Sequence, residues 1–298
     1  MIKLVSIKPV VWRFSLLVLL VLGSGTLGWS QNPDSIHFAN THWTKERIAA
    51  GVRLYHHSFA KGTLFGTTEN INFIKIKSGF FRKAKFALMA EAKTLRPTSD
   101  FMANNRKAIA AINGNFFDMK NGGAVDFIKV DGEVVNINRK NKNEKPDFHQ
   151  KAAIVIDNGK LDIVKWDGLV NWEEWLKQPN IMLNGPLILK DNQRELLDSS
   201  SFNKNRHPRT AVGITKDGAV ILLVVDGRHA NSAGMSLFEL TKVMQWLGCV
   251  QAINFDGGGS STLWMKNKGV INHPSDNKKW DHQGERKVAN VLYIRKGK

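Results

Sequence analysis

Beyond residue 50 the chain is a succession of short apolar runs rich in β-branched and aromatic residues, each closed by Gly, Asn or Asp. That pattern predicts strands at Val52–His57, Ile71–Lys77, Phe86–Ala90, Ala108–Asn113, Ala152–Ile156, Ala211–Ile214, Val220–Asp226, Ala252–Phe255, Thr262–Met265 and Asn290–Ile294, with turns such as Asp157-Asn-Gly159 and Asp217-Gly218. Helical spacing is scarce. The best case is Leu237–Leu247, where Leu237, Leu240, Val243, Met244 and Leu247 form an apolar stripe, Ser236 and Glu239 make a capping box, and Gly248 is the stop. Shorter helices are expected over Phe101–Lys107 behind Asp100 and over Trp172–Lys177 behind Asn171. The polar stretch Asn136–Gln150 reads as a long exposed loop that could act as a lid.

These elements predict an α+β protein with a mixed β-sheet core, few helices and a single catalytic domain. The order strand, helix, strand, glycine-rich turn between Val220 and Met265 is the most informative part. If those two strands are neighbours in a parallel pair, Asp226, Arg228 and Asp256 converge on one rim, where sheets of that kind bind ligands.

The N-terminus alters the domain picture. Lys3, Lys8 and Arg13 precede the apolar run Phe14–Leu22, and Gly28 and Ser30 supply small residues ahead of Gln31, the layout of a signal peptide over 1–30. The run is shorter than the roughly 20 residues a spanning helix needs, so a periplasmic or secreted product cut near Ser30/Gln31 is expected, with no stable membrane insertion after cleavage. The domain then covers 31–298. Cys249 is the single cysteine, which excludes an intramolecular disulfide and a cysteine zinc cluster.

Charge points to the class of partner. The 298 residues carry a formal +17, and losing residues 1–30, with three basic and no acidic residues, leaves +14. Such a surface suits an anionic glycan or envelope polymer. Lysine-rich stretches such as Arg139–Lys142 and Lys278–Lys279 lack the interleaved aromatics of a nucleic-acid platform, so nucleic acid is not the expected partner.

Three constellations could carry chemistry. In Asn254-Phe-Asp-Gly-Gly-Gly-Ser-Ser-Thr262, three glycines strip Cβ atoms from one turn, so backbone N–H groups and the hydroxyls of Ser260, Ser261 and Thr262 could cradle phosphate beside Asp256. The turn is neither a Walker loop nor a Gly-x-Ser-x-Gly elbow. In Asn113-Gly-Asn-Phe-Phe-Asp118, amides and a carboxylate surround one glycine, either as a ligand-orienting group or as an Asx-type turn. Arg209, Arg228 and Arg286 offer planar forks for a phosphodiester, Arg209 and Arg286 being the stronger candidates. Asp118, Asp226, Asp256 and Glu285 are the carboxylates available as acid, base or nucleophile. His207, His229, His273 and His282 are scattered without zinc-ligand spacing. A calcium or magnesium ion on Asp256 or Asp226 with loop carbonyls is compatible with this oxygen-rich set.

Taken in order, Asn113-Gly-Asn-Phe-Phe, Pro208-Arg-Thr-Ala-Val-Gly213, Val225-Asp-Gly-Arg228, Gly234-Met-Ser-Leu-x-Glu239, Asn254–Thr262, Asn272-x-Pro-Ser-Asp276 and Gly284-Glu-Arg-x-Val-Ala-Asn290 resemble the phosphodiester glycosidase family, over about 85–295. The resemblance implies hydrolysis of a sugar 1-phosphodiester at its glycosidic bond. It points to Asn113, Arg209, Asp226, Arg228, Asn254, Asp256, Gly257, Gly258, Ser260, Ser261, Thr262, Glu285 and Arg286 as site residues. Of these, Asp256, Glu285 and Asp226 are the catalytic candidates, and the others would bind substrate or phosphate. Animal members carry disulfide-rich and membrane-anchoring regions, which this chain lacks, so the expected substrate is a phosphorylated glycan or teichoic-type envelope polymer. Two other functions stay open on the residues: a serine-type esterase or transferase using Ser260 with His229 or His273, and a non-catalytic binder of anionic envelope polysaccharide.

Overall fold

Apolar residues facing both ways explain why the central strands read as unbroken hydrophobic runs. In Val220–Val225, residues Val220, Leu222 and Val224 enter one core cluster while Ile221, Leu223 and Val225 enter another, so the strand is buried on both faces. The computed structural model describes residues 33–77, 79, 84–139 and 146–297. The expected signal segment and its cleavage point lie outside them, as does the middle of the polar 136–150 stretch.

Three sheets make the framework. The largest has eight strands in the order β1 (Thr44–Ala49), β2 (Val52–Leu64), β3 (Thr67–Ile76), β14 (Val220–Val225), β13 (Arg209–Thr215), β15 (Cys249–Asn254), β11 (Leu187–Lys190) and β12 (Gln193–Arg194). A second runs β7 (Glu133–Asn136), β6 (Ile128–Val130), β10 (Asn180–Leu183), β8 (Ala152–Asp157) and β9 (Lys160–Lys165). The third runs β17 (Gly269–Val270), β16 (Leu263–Met265), β5 (Ala108–Asn113), β18 (Asn290–Lys296) and β4 (Ala84–Ala90). One core joins the inner faces of all three, from Ile74, Leu222 and Ile253 to Phe86, Ile112 and Leu292 and to Ile154 and Met182. The opposite face of the large sheet packs under α4 (Leu237–Trp246) and α1 (Pro33–Ala39) through Phe38, Phe73, Leu240 and Met244. With α2 (Thr98–Ala103) and α3 (Ser201–Lys204), four α-helices occur among the described residues, and Pro33–Lys298 forms one compact α+β unit around its β core.

The topology corrects one expectation. β14 and β15 are not neighbours. β13 lies between them and pairs antiparallel with both, Arg209 opposite Val225 and Ala211 opposite Asn254. Two antiparallel steps leave β14 and β15 pointing the same way, so their C-terminal ends do share a rim, with the N-terminal end of β13 wedged between.

Helix boundaries differ where capping is not local. Ser236 and Glu239 form the reciprocal box that starts α4 as expected. By contrast α2 begins at Thr98 rather than Phe101, behind Pro97, which supplies no side-chain cap. The Ser99 N–H is instead taken by Glu285 from the far end of the chain, a partner no local pattern reveals. The segment at Trp172 is a single 3₁₀ turn ending at Trp175, entered through Asn171 in the left-handed region at φ 54°.

Candidate functional site

The rim is assembled from residues that hold one another more than they face solvent. Asn113, at the end of β5, donates from Nδ2 to the Asp256 carbonyl at 2.7 Å and accepts on Oδ1 from Thr210 Oγ1 at 2.8 Å and from the Thr262 N–H at 3.2 Å. One buried amide thus ties β5, β13 and both ends of the glycine turn. The Asp256 N–H donates to the Gly114 carbonyl and the Gly258 N–H to that of Pro208. Asn254 Nδ2 anchors to the Gly185 carbonyl at 3.0 Å.

Asp226 is the best-satisfied carboxylate of the rim. Its Oδ2 accepts from Asn70 Nδ2 at 2.7 Å, and its Oδ1 accepts from Asn272 Nδ2 at 2.8 Å and the His273 N–H at 2.9 Å. Asn272 Nδ2 also donates to the Ser261 carbonyl. Buried and saturated with donors, Asp226 fixes the loop after β17 against the turn, a positioning role rather than that of an attacking group.

Asp256 is different. It sits half-buried at the mouth of the turn, and burial pushes its carboxyl up to about 6. Ser260, Arg286, the Gly257 N–H and Arg228 counter that rise in decreasing order. The Ser260 hydroxyl faces Asp256 without making a well-formed hydrogen bond, and it is buried like those of Ser261 and Thr262. The two arginines bracket the glycines. Arg228 Nη2 lies 2.9 Å from where a Cβ on Gly258 would stand, and Arg286 Nη2 lies 2.7 Å from that of Gly259. Only Cβ-free residues let two guanidiniums close on the turn, and Gly258 also adopts φ +63°.

Each guanidinium is steered. Arg286 donates from Nε and Nη2 to Asp276 Oδ1 at 3.0 and 2.5 Å. Arg228, exposed and at φ 63°, lies 3.4 Å through Nη2 from His207 Nδ1. Burial, Arg209 and Arg228 all push the His207 imidazole below its ordinary value, so it is neutral at pH 7 and accepts from Arg228.

Several expected roles change on this geometry. Arg209 is fully buried and donates from Nε to Met235 O and from Nη2 to Phe202 O and Asn205 O, so it braces α3 against the segment leading into α4 instead of presenting a phosphate fork. Burial lowers it to about 10. The N–H groups of Gly258, Ser260, Ser261 and Thr262 are all spent inside the protein, so the turn is not an open nest of donors. Its three hydroxyls are equally unavailable from the surface. Glu285 receives the Ser99 N–H at 3.1 Å and the Ser99 hydroxyl at 2.5 Å, and burial raises its carboxyl above the usual range. It caps α2. Asp118 closes the Asx-type turn expected as one option for its segment: it accepts from the N–H groups of Lys120 and Asn121 and from Arg139, which hold it well below the carboxylate range.

No histidine hydrogen-bonds Ser260 among the described residues, which removes the serine-nucleophile reading. The histidines gather elsewhere. His229 and His273 both stack on Trp280 at 5.0 and 3.9 Å, with His282 4.6 Å from His273 and His273 Nδ1 3.3 Å from Asp226 Oδ2. No group of three or more His, Cys, Asp or Glu placed to hold a metal occurs among the described residues. Sequence reading misses the steering role of His207 and the parts played by Asn70, Asn272 and Asp276. Asp276 is within its reach, since it closes the Asn272-x-Pro-Ser-Asp motif. Asn70 lies in a strand with no motif at all.

Known proteins agree with this architecture. A mouse N-acetylglucosamine-1-phosphodiester alpha-N-acetylglucosaminidase is 31% identical over 173 residues, 56% of this chain and 33% of the mouse protein. The SPbeta prophage-derived uncharacterized protein YomE of Bacillus subtilis is 24% identical over 208 residues, 62% of this chain and 30% of its own length. The chain thus spans about a third of the curated relatives it matches. Among solved structures, the catalytic domain of the zebrafish N-acetylglucosamine-1-phosphodiester alpha-N-acetylglucosaminidase, auto-inhibited by its pro-peptide, shares the fold at a TM-score of 0.63 and 19% identity, covering 85% of this chain and 87% of that one. A hypothetical protein from Synechocystis does so at 0.62 and 15%, covering 85% and 64%. Residues 106–295 match the family described as phosphodiester glycosidase, and the chain belongs to that family.

Proposed function

We propose that this protein is an exported hydrolase that cleaves the glycosidic bond of a sugar 1-phosphodiester in a phosphorylated glycan or envelope polymer. One observation carries the reading: a carboxylate raised to about 6 stands at a glycine turn against which two guanidiniums close, Arg228 at Gly258 and Arg286 at Gly259. Arg228 and Arg286 hold the diester oxygens, with His207 and Asp276 fixing their directions. At neutral pH Asp256 is mostly ionised, and it either takes a proton from water attacking the anomeric carbon or attacks that carbon itself to form a glycosyl ester that water then hydrolyses, freeing the sugar and the carboxylate. The C1–O bond breaks, and its electrons leave on the phosphate oxygen as a phosphomonoester, which needs little protonation. Developing negative charge on that oxygen is met by the two guanidiniums. The relatives named for acting on N-acetylglucosamine 1-phosphodiesters support the bond class, and the sugar and aglycone of this chain's substrate are proposed only at that level.

Turnover of a chromogenic sugar 1-phosphodiester tests it. Asp256→Asn is expected to lose about 10²–10⁴ in kcat, and Arg286→Gln to raise KM. Wild-type turnover by Asp256→Asn would sink the mechanism, and the absence of turnover of any diester by the wild type, with polymer binding retained, would leave the non-catalytic binder.

A further inference from the structure

The end of the large sheet away from the catalytic rim carries a cationic arrangement that folding alone does not favour. Arg47 of β1 stands directly opposite Arg53 of β2, and Arg53 directly opposite Lys75 of β3. Like charges facing each other across strands cost stability. None of Arg47, Arg53, Lys75 or Lys77 has an ion pair or side-chain hydrogen bond among the described residues. Glu46, the acid nearest in sequence, pairs with Lys268 instead. Asp217, on the β13–β14 turn, is held below the usual range first by the Thr215 hydroxyl and only in smaller part by Lys75. Arg47, Arg53, Tyr55, Lys75 and Lys77 line one cavity of about 210 Å³.

That cavity continues into a second one. Tyr55 and Lys75 are common to both, and the second, of about 280 Å³, is lined by Trp43, Lys45, Phe73 and Trp246. Tyr55 stacks flat on Phe73 with centroids 4.7 Å apart, and Trp43 meets Phe73 edge-on at 4.9 Å. A groove results with unpaired cations at one end and aromatic walls at the other. Strand spacing of about 4.8 Å sets the cations in a row across β1, β2 and β3. Lys75 pairs with Ile221 and Ile71 with Val225, four residues along β14, which puts the cationic end of the groove about 13 Å along the strand from the rim.

We infer that this groove is a second binding site, separate from the catalytic rim, for a phosphate-bearing glycan chain. Guanidinium and ammonium groups would take successive phosphates, and sugar rings would lie against the aromatic walls. A glycan fits better than a membrane surface because Trp43, Tyr55 and Trp246 are half-buried in the concavity, whereas the most exposed large apolar side chains, Met119, Ile137, Val170, Trp175 and Leu196, lie on other elements. The site stands whether or not the rim is hydrolytic.

Binding measurements on the whole chain test it, with a mannan carrying phosphodiesters, the same mannan stripped of phosphate, and vesicles of phosphatidylglycerol and phosphatidylcholine as probes. An Arg53→Gln/Lys75→Gln variant is compared with Lys160→Gln/Lys177→Gln, which removes the same charge from positions elsewhere. The expected result is a Kd for phosphorylated mannan raised about tenfold or more in the first variant only, weak binding of stripped mannan by all proteins, and unchanged turnover of the small chromogenic diester. An unchanged Kd in the first variant, or equal losses in both variants, would overturn the site. Loss of vesicle binding with phosphorylated mannan unaffected would overturn the choice of a glycan.

Discussion

Replacing Asp256 with Asn should slow turnover about 10²–10⁴-fold and, above pH 6, make the protein more stable. In the folded protein the Asp256 carboxyl keeps its proton up to about pH 6, against an ordinary value of 3.8. Between those values the native state binds more protons than the unfolded chain, so stability falls as pH rises, and above 6 the whole penalty is in force. At about 1.4 kcal/mol for each tenfold change in proton affinity, the rise corresponds to an upper bound of about 3 kcal/mol. Partial contact with solvent lowers that to about 2 kcal/mol. An amide of the same shape carries no charge to desolvate and keeps an oxygen toward Ser260 and the Gly257 N–H. Urea unfolding of both proteins at pH 4 and pH 7.5 reads the difference. The Asp256→Asn variant is expected to gain about 2 kcal/mol over wild type at pH 7.5 and only about 0.5 kcal/mol at pH 4. A variant no more stable than wild type at pH 7.5, or an equal gain at both pH values, would refute the claim that burial of an ionised Asp256 is what raises its carboxyl. The same titration requires the acid limb of kcat/KM to have its midpoint near pH 6.

Three further outcomes follow from the geometry. Asp226→Ala strips the acceptor from Asn70, Asn272 and the His273 N–H, all within 3 Å of it, and should cost about 3–5 kcal/mol; a shift in the urea midpoint worth under about 1 kcal/mol would contradict the network. Gly259→Ala drives a methyl to 2.4 Å from Asp276 Oδ1 and 2.7 Å from Arg286 Nη2, so KM for the diester should rise about tenfold or more through loss of a charged contact, while Gly269→Ala, at φ +75° with open space around it, should cost about 1 kcal/mol of stability and leave KM alone. Ser236→Ala removes the α4 cap and should cost about 1 kcal/mol, read as a lower melting temperature at unchanged kcat.

Legibility in the sequence follows the locality of the physics. Strands such as Ala108–Asn113 are recognisable because their burial shows directly in composition, and α4 because Ser236, Glu239 and Gly248 specify its ends within a dozen residues. β6, β7, β10 to β12 and β17, of two to four residues each, are too short for alternation to stand out, while β1 and β9 are edge strands whose charged residues mask the pattern. The site is legible as a set of motifs and not as a division of labour. Arg209 reads as one of the two stronger phosphate forks, and only the carbonyls of Met235, Phe202 and Asn205, which take up its N–H groups in the fold, withdraw it from ligand binding. Glu285 reads as catalytic because a helix cap supplied from 186 residues away leaves no local trace. The shared rim survives a wrong pairing, since the antiparallel β13 inverts direction twice.

The placement of β3 beside β14 sets how the protein can be cut. The family match begins at residue 106, yet β14 pairs along its length with β3, Val220 opposite Ile76 through Val225 opposite Ile71, and Asn70 supports Asp226 from that strand. A fragment trimmed to the matched span would lay bare one edge of β14, an uncharged stretch of Val, Ile and Leu with open N–H and C=O groups, ready to pair with another copy. β3 therefore serves as the built-in partner that keeps this wholly apolar strand occupied.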